Sequence, residues 1–182
     1  MLLYKTNFKE GKSALNLAIK TANENKSTVI LANDPDADRL AVAERQASGD
    51  WRIFNGNEIG ALLGWWLWYN YTLQHMIEIE SDPTFRTRAY MLYSTVSSHI
   101  IKAGSKGFNS EDKLAGFKWT GNRTHELLQE NKHVLFCFEE AIGLMCGRRG
   151  LYKDGVSAEM AIYLRRSEGK RLSEQLDCIY DK

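Results

Sequence analysis

The stretch LANDPDADRL, residues 31–40, places aspartates at three alternate positions, Asp34, Asp36 and Asp38, and follows them at once with Arg39. Apolar residues precede and follow this stretch, which predicts two short buried strands with the aspartates in a tight turn between them. Carboxylates this close repel one another and are rarely left without a counter-charge. A hard cation such as Mg²⁺ or Ca²⁺ prefers oxygen ligands, so the turn is interpreted as a metal-binding loop.

Other uses of the aspartate loop compete with this interpretation. An EF-hand loop begins in the same way, but Arg39 and Arg45 occupy the positions where it needs Gly and Glu, which excludes it. An aspartyl-phosphate phosphatase loop would make Asp34 the nucleophile and Asp36 the acid. Its fifth position is Asp38 here, however, and a strand rather than a helix is predicted to follow. A solvated acidic turn needs no ligand, but the apolar runs on both sides argue against a loose surface turn.

The composition is that of an ordinary globular protein, since 43% of the 182 residues are apolar and 26% are charged. The net charge of +1 gives no bulk attraction to nucleic acid, so no nucleic-acid partner is expected. Three cysteines without metal-ligand spacing, and no secretory leader in the sequence, indicate reduced thiols. The most apolar stretch, residues 59–69, is shorter than the ~20 residues that cross a bilayer. We therefore expect a soluble, cytoplasmic protein without a membrane partner.

The apolar periodicity predicts helices and strands that alternate along the chain, which indicates an α/β fold. Helices are predicted at residues 11–25, 58–76, 100–103, 124–130, 156–166 and 173–180. Strands are predicted at residues 28–32, 40–43, 51–54, 89–93 and 134–138. The segments at residues 77–88, 113–123 and 139–152 are predicted to be loops. A domain boundary is predicted between Phe54 and Asn55, where the chain passes from a hairpin into a long apolar helix.

The sequence Asp-Pro-Asp-Ala-Asp-Arg between two short strands resembles the metal loop of the α-D-phosphohexomutase superfamily, which usually reads D-G-D-x-D-R. The proline, with Leu-Ala-Asn before the loop, resembles the phosphoglucomutase-2 branch, which includes phosphopentomutase and glucose-1,6-bisphosphate synthase. Further motifs resemble that branch in the same order along nearly the whole chain. They are EGKSAL at 10–15, GNEIGALLGWW at 56–66, GFKW at 116–119 with GNR at 121–123, FEEAIG at 138–143, and KDGVSA at 153–158.

The resemblance implies a mixed sheet flanked by helices, the family's third domain, at residues 55–182. The C-terminal part of a similar second domain would precede it at residues 1–54. Members of the family have four domains, with a phosphoserine in the first, the metal loop in the second, a sugar-reading loop in the third and a phosphate-holding loop in the fourth. The phosphoserine gives its phosphoryl group to a phosphosugar, and a bisphosphorylated intermediate returns the other phosphate to the serine. A bisphosphate primer of the glucose-1,6-bisphosphate type starts the cycle.

The resemblance also assigns roles to single residues. Asp34, Asp36 and Asp38 would hold Mg²⁺, which polarises the transferring phosphoryl group. Arg39 would contact the phosphoserine oxygens with its planar donor fork. Charge placed where the transition state develops it is the main service that a protein gives to phosphoryl transfer.

Two further segments resemble the family's substrate contacts. Glu139 matches the glutamate that accepts hydrogen bonds from sugar hydroxyls, and its neighbour Glu140 is expected to matter little. The serine that usually follows two positions later is Ala141 here, which fits a looser or different sugar preference. Lys153 matches a basic residue beside the sugar phosphate and is expected to act in both binding and catalysis.

The segment that resembles the family's substrate-orienting loop contains Gly116, Lys118 and Arg123. Ala115 replaces the threonine that often precedes the glycine. Lys118 has a plainer alternative, in which its aliphatic stem lies over the neighbouring Trp119 without contacting any substrate. Arg148 and Arg149, which lie near the sugar loop in sequence, are expected to be solvated.

The phosphoserine loop and the Arg-x-Ser-Gly-Thr-Glu-Pro loop of the fourth domain are not found in the sequence. Ser97-Ser98-His99 superficially resembles the nucleophile loop but lacks its Asn and Pro, so it is rejected. We therefore expect the middle section of a phosphoglucomutase-2-like enzyme that is monomeric at full length, with domains I and IV missing and no activity in this section alone. A non-catalytic module that binds Mg²⁺ and phosphosugar, or an Asp-nucleophile phosphatase, remains the alternative.

Overall fold

The computed structural model describes residues 2–5, 14–103, 107–147 and 151–181, and its framework is a pair of four-stranded sheets. The first sheet has the order β1-β2-β3-β4, formed by Leu2–Lys5, Val29–Asn33, Leu40–Arg45 and Trp51–Phe54. Its β1 runs parallel to β2, and the other neighbours are antiparallel. Most of the EGKSAL motif and both arginines at 148 and 149 lie outside the described residues.

The second sheet has the order β6-β5-β7-β8. Its strands are β5 at Ala89–Ser94, β6 at Asn109–Lys113, β7 at His133–Glu139 and β8 at Gly143–Cys146. Here β5, β6 and β7 are parallel, and β8 is antiparallel to β7. Both sheets are therefore mixed, and the predicted α/β class is confirmed.

Seven α-helices accompany the sheets in the described part of the chain. They are α1 Asn16–Glu24, α2 Gly56–Gln74, α3 Met76–Ser81, α4 Ile100–Ala103, α5 Phe117–Gln129, α6 Gly155–Ser167 and α7 Leu172–Tyr180. Among the helices of the described residues, none is long and apolar enough to cross a membrane.

The long helix α2 begins at a capping box. The side chain of Asn55 accepts a hydrogen bond from the Glu58 backbone N–H at 3.0 Å, and Glu58 accepts one from the Asn55 backbone N–H at 2.8 Å. This reciprocal pair satisfies two amide groups that a helix start leaves without partners. As its sequence predicts, α2 is buried over much of its length.

One hydrophobic core joins the two sheets. Leu31 and Val42 of the first sheet share it with Phe136 and Phe138 of the second, and all four are fully buried. Residues of α2, α6 and α7 fill the space between them. The outer face of the first sheet is covered by α1, and the outer face of the second by α5. The predicted boundary between Phe54 and Asn55 stays a prediction, although the first sheet ends at Phe54.

The segment at residues 77–88 was predicted to be a loop, and this is wrong. It forms most of α3 and a 3₁₀ helix at Pro83–Arg88. Ile79 is buried in α3. Asp82 accepts a hydrogen bond from the Thr84 backbone N–H at 2.9 Å, which caps the start of the 3₁₀ helix. These features outweigh the polar composition of the segment.

The predicted loop at residues 113–123 is wrong as well, because α5 begins at Phe117 rather than at residue 124. Its start follows Gly116, whose φ of 110° lies in a region that favours glycine. Phe117 and Thr120 are buried and fix the first turn against the sheet. Gly121 lies inside the helix, and glycine suits this position because an added Cβ would come within 2.8 Å of the Leu151 carbonyl oxygen.

Three strands were missed, and the first of them is β1 at Leu2–Lys5, where no element was predicted. Residues 139–152 were predicted to be a loop, but Gly143–Cys146 forms β8, in which Leu144 and Met145 are buried. The strand β6 has the sequence NSEDK, which lacks any apolar signal. It forms at the edge of the sheet, where backbone pairing with β5 rather than burial holds it in place.

Candidate functional site

The aspartate loop forms the turn between β2 and β3. Asp34 is 1% exposed, Asp38 is partly buried and Asp36 is exposed. Each contributes a carboxylate oxygen to a group whose members all lie within 4.8 Å of one another. Three oxygen ligands that converge in this way suit a hard cation such as Mg²⁺, which usually keeps several waters besides its protein ligands. The residues present therefore fit the predicted metal.

Arg39 binds back onto this loop. Its backbone N–H donates to Asp34 Oδ1 at 3.1 Å, and its Nε donates to Asp34 Oδ2 at 2.7 Å. A longer contact of 3.4 Å joins the same Nε to Asp38 Oδ1. Burial raises the pKa of Asp34, an effect that the hydrogen bonds and charge of Arg39 oppose. The arginine is thus a fixed counter-charge of the buried aspartate.

Lys153 brings a second cation to the loop from a distant part of the sequence. Its Nζ lies 2.8 Å from Asp38 Oδ2. Burial would raise the pKa of Asp38, but the hydrogen bond and charge of Lys153, together with the hydrogen bond of Asp34 and the charge of Arg39, hold that pKa below its ordinary value. The pKa of Asp34 is therefore raised, whereas the pKa of Asp38 is lowered.

The segment after Lys153 packs closely on the aspartate loop. The Gly155 backbone N–H donates to the Ala37 carbonyl at 3.0 Å. A Cβ at Gly155 would lie 2.5 Å from Asn33 Nδ2 and 2.6 Å from the Arg39 carbonyl oxygen, so no larger residue fits there. This close approach gives a physical reason for glycine in the KDG motif.

The aspartate loop also contacts the turn between β7 and β8, which carries the predicted sugar-reading glutamate. An antiparallel bridge joins Arg39 to Gly143. A Cβ at Gly143 would lie 2.5 Å from Lys153 Cδ and 3.1 Å from Glu139 Oε2. The stem of Lys153 therefore passes over Gly143 beside Glu139, while its ammonium reaches Asp38. Three segments that are separate in the sequence meet here.

Glu139 in turn holds the start of α5. Its Oε1 accepts a hydrogen bond from the Gly116 backbone N–H at 3.0 Å. Trp119 Cδ1 lies 3.7 Å from the position of a Cβ on Gly116, so the indole borders the same corner. The structure thus brings Gly116 to the predicted sugar-binding residue.

Lys118 and Arg123 lie on α5 and make other contacts. Lys118 is exposed, and its Nζ lies 5.5 Å from the centre of the Trp119 ring, which is the contact of the plainer alternative. The guanidinium of Arg123 binds both oxygens of Glu111 at 2.9 and 3.1 Å and one oxygen of Glu126 at 3.0 Å. These hydrogen bonds raise the pKa of Arg123. Substrate contacts by Lys118 and Arg123 stay predictions.

Sequence reasoning missed a polar group at the carboxyl end of β5. Ser94 and Ser97 are 1% and 4% exposed, and both hydroxyls contact Glu140 Oε2, at 2.9 and 3.1 Å. The available signal was a serine at the end of a buried strand, since ligand sites of α/β sheets lie at the carboxyl ends of their strands. The sequence Ser97-Ser98-His99 was compared only with the family's nucleophile loop, and that comparison does not predict a contact between Ser97 and Glu140.

Residues 55–182 match the family described as phosphoglucomutase/phosphomannomutase, alpha/beta/alpha domain III. The chain therefore belongs to the phosphoglucomutase/phosphomannomutase family, and the resemblance drawn from its motifs is confirmed. It is 50% identical over 181 residues to the phosphopentomutase of Homo sapiens, covering 96% of this chain and 29% of that protein. It is 45% identical over 183 residues to the human glucose 1,6-bisphosphate synthase, covering 97% of this chain and 28% of that protein.

The chain thus spans less than a third of the length of these curated relatives. Its fold is also similar to a solved phosphoglucomutase/phosphomannomutase family protein from Burkholderia thailandensis. That match has a TM-score of 0.61 and 16% sequence identity, and it covers 92% of this chain and 32% of that chain. This similarity supports the fold.

Proposed function

We propose that this chain supplies the metal loop and the sugar-binding domain of a phosphosugar mutase. The reaction is an intramolecular phosphotransfer that interconverts a sugar 1-phosphate with its 5- or 6-phosphate through a phosphoserine and a bisphosphate. The observation that carries the proposal is the meeting of three segments, in which Lys153 contacts Asp38 of the metal loop and lies beside Glu139 of the sugar turn. Similarity to a phosphopentomutase and to a glucose 1,6-bisphosphate synthase supports it.

The metal loop would serve the phosphoryl group. Asp34, Asp36 and Asp38 would hold Mg²⁺, which supplies Lewis-acid polarisation of a phosphoryl oxygen when bound. Arg39 holds Asp34 through its Nε and would present the rest of its donor fork to phosphate oxygens. With a cation held by the aspartates, Arg39 would add positive charge where a transferring phosphoryl group develops negative charge.

The sugar turn would orient the substrate. Glu139 accepts hydrogen bonds and already holds the Gly116 backbone N–H, so a sugar hydroxyl would bind at the same carboxylate. Lys153 extends past this carboxylate and would bind the sugar phosphate as a flexible point charge. Its position between the carboxylate and the metal loop would place the phosphate next to the metal.

The experiment that tests the proposal is a chimera. This chain replaces the matching 181-residue segment of the human phosphopentomutase, which is 50% identical. We expect the chimera to convert ribose 1-phosphate or glucose 1-phosphate in the presence of Mg²⁺ and a glucose-1,6-bisphosphate primer. The ratio of kcat/KM for the two sugars then reports which substrate class the chain favours. The isolated chain should show no turnover, because its sequence contains no phosphoserine loop.

The outcomes are distinct. A folded chimera that turns over neither sugar phosphate would overturn the mutase proposal. Binding of Mg²⁺ and phosphosugar without turnover would favour a non-catalytic module. Acid-labile phosphate on Asp34 after incubation with a phosphoryl donor would favour the phosphatase.

We also propose that the full-length enzyme is a cytoplasmic monomer. The free cysteines Cys137, Cys146 and Cys178 are in keeping with a reducing compartment.

A further inference from the structure

The turn between β7 and β8 is strained. It consists of residues 140–142, and Ile142 has a φ of 58°. A β-branched residue in this left-handed region is an outlier, because its Cβ crowds the neighbouring backbone. Strain of this kind persists only where surrounding contacts hold it in place. Ile142 packs against the core, which holds one side of the turn.

The other side of the turn is held by Glu140. This residue is exposed overall, but its Oε2 reaches inward to the hydroxyls of Ser94 at 2.9 Å and Ser97 at 3.1 Å. Its backbone N–H donates to Ser97 Oγ at 2.9 Å. The two serine oxygens lie 2.6 Å apart and are almost completely buried. Glu140 is thus bound through both its backbone and its side chain.

The serines themselves are fixed by the start of α2. The Ser98 backbone N–H donates to Asn57 Oδ1 at 2.7 Å, which holds the segment that follows β5. A Cβ on Gly56 would lie 1.9 Å from the Glu140 carbonyl oxygen, so the helix start and the turn are in direct backbone contact. The turn that carries the sugar glutamate therefore rests on two neighbouring elements.

We propose that Glu140 is a positioning residue for Glu139. Consecutive residues at the end of a strand point to opposite sides, so anchoring Glu140 on the Ser94 and Ser97 side directs Glu139 to the other side, where it holds Gly116. Its relevance to sugar binding rests on the proposed function, but the contact that it controls exists without any substrate. Glutamine at position 140 would keep an acceptor oxygen for the serines, whereas alanine would remove the anchor.

The test uses nuclear magnetic resonance on the isolated chain. The Gly116 amide proton reports its hydrogen bond to Glu139, because a carboxylate acceptor shifts such a resonance downfield. We expect Glu140→Ala to move this resonance toward its position in Glu139→Gln, and Glu140→Gln to leave it near the wild-type position. Glu80→Ala, an exposed glutamate on α3, is the matched control and should leave it unchanged. An unmoved Gly116 resonance in folded Glu140→Ala would overturn the proposal.

If Glu140→Ala fails to fold, Ser97→Ala replaces it. That variant removes a hydroxyl that contacts both the Glu140 carboxylate and its backbone N–H, so it should move the Gly116 resonance in the same direction. An unmoved resonance in folded Ser97→Ala overturns the proposal equally.

A titration of the same samples with glucose 1-phosphate and ribose 1-phosphate adds the functional readout. Glu140→Ala should weaken binding about tenfold and Glu140→Gln by less than about twofold, the difference that one hydrogen bond makes. Affinity equal to wild type in Glu140→Ala would contradict the positioning role. If the wild-type chain binds neither sugar phosphate, the proposed function loses its support, while the Gly116 resonance still decides whether Glu140 positions Glu139.

Discussion

The aspartate loop and the β7–β8 turn use the same backbone device for different chemistry. Both connect antiparallel strands, and each holds one non-glycine residue, Ala37 or Ile142, at a φ of 58°. The acids of the first loop stand at alternate positions and converge, within 4.8 Å of one another. The acids of the second are consecutive, and they diverge to Gly116 on one side and to buried serines on the other.

The difference shows how spacing alone converts the same kind of residue into different sites. Converging carboxylates repel one another, so the first loop needs the cations Arg39 and Lys153 beside it. Diverging carboxylates have no such need and are held by neutral donors, a backbone amide and two hydroxyls. The first loop is therefore suited to bind a cation, and the second to accept hydrogen bonds from a neutral ligand such as a sugar.

The largest expected effect concerns the converging acids. The double variant Asp36→Asn/Asp38→Asn should lose at least about 100-fold in affinity for Mn²⁺, because even residues that only orient metal ligands change affinity by about 10–100-fold. Calorimetric titration of the isolated chain measures this affinity. The wild-type affinity itself is expected to be weak, since the phosphoserine oxygen is not available as a ligand.

The matched control for that variant is Glu78→Gln/Glu80→Gln on α3, which changes the net charge by the same amount outside the site. It should bind Mn²⁺ as the wild type does. Equal binding by the aspartate variant would remove the metal assignment and leave the loop as an acidic turn.

The next prediction compares the two diverging glutamates in the chimera. Glu139→Gln should lower kcat/KM on the order of 10- to 150-fold, because hydrogen bonds to a charged acceptor are worth roughly 1.5–3 kcal/mol. Glu140→Gln should change it by less than about threefold, because the amide oxygen still accepts from Ser94 and Ser97. A coupled assay of sugar-phosphate conversion separates the two variants.

If Glu140→Gln were the impaired variant and Glu139→Gln near normal, the assignment of the sugar-reading glutamate would be off by one residue. The roles expected for Ala141 and Lys153 would then have to be reassigned. Circular dichroism of both variants shows whether either has lost its fold, so that a folding defect is not mistaken for a lost sugar contact.

The sequence predicted the first of the two turns far better than the second. Apolar runs flank the aspartates, so both strands and the turn between them could be predicted from residues 28–43. The second turn is followed by β8, which is only four residues long. Its buried apolar residues, Leu144 and Met145, are too few to give a recognisable periodicity. Its pairing with β7 depends on contacts that no local window contains.

The substrate-orienting segment was misjudged for a related reason. The glycines at 116 and 121 favour a loop in a local reading, yet one precedes α5 and the other lies inside it. Gly121 is needed because the Leu151 carbonyl packs against it, and that residue is distant in the sequence. The links among Asp38, Lys153 and Glu139 likewise join distant segments, so only the family resemblance could suggest that they share one site.

Glycine substitution at the two left-handed residues separates strain from packing. The left-handed conformation costs a non-glycine residue roughly 1–2 kcal/mol, and glycine loses about 0.4–1 kcal/mol through its freer unfolded state. Ala37→Gly should therefore leave the free energy of unfolding unchanged or raise it by up to about 1.6 kcal/mol. Ile142→Gly should lower it by about 1–3 kcal/mol, because it also loses a side chain packed on the core.

Denaturant unfolding measures both changes. A destabilised Ala37→Gly would show that its methyl group contributes packing, and a stabilised Ile142→Gly would show that the second turn is held by Glu140 and backbone contacts alone. Either result would break the parallel between the two turns.

The smallest expected effect concerns Lys153, which joins the two turns through Asp38 at 2.8 Å. Both side chains are 27% exposed, and pairs near the surface are worth about 0–1 kcal/mol. The pKa of Asp38 is lowered from 3.8 in the folded chain, so its ionised form stabilises the fold above that pH. This contribution is lost as the pH falls through the lower folded pKa. Lys153→Met should therefore cost less than about 1 kcal/mol at pH 7, and its stability should converge with that of the wild type as the pH falls below 3.8.

Lys118→Met makes the same change in net charge on an exposed lysine that lies over Trp119, and it should keep the pH dependence of the wild type. Unfolding curves recorded at intervals between pH 7 and pH 3 measure both variants. Identical pH profiles for Lys153→Met and Lys118→Met would mean that the ion pair between the turns contributes nothing to stability, and that Lys153 is held in place by its packing over Gly143 alone.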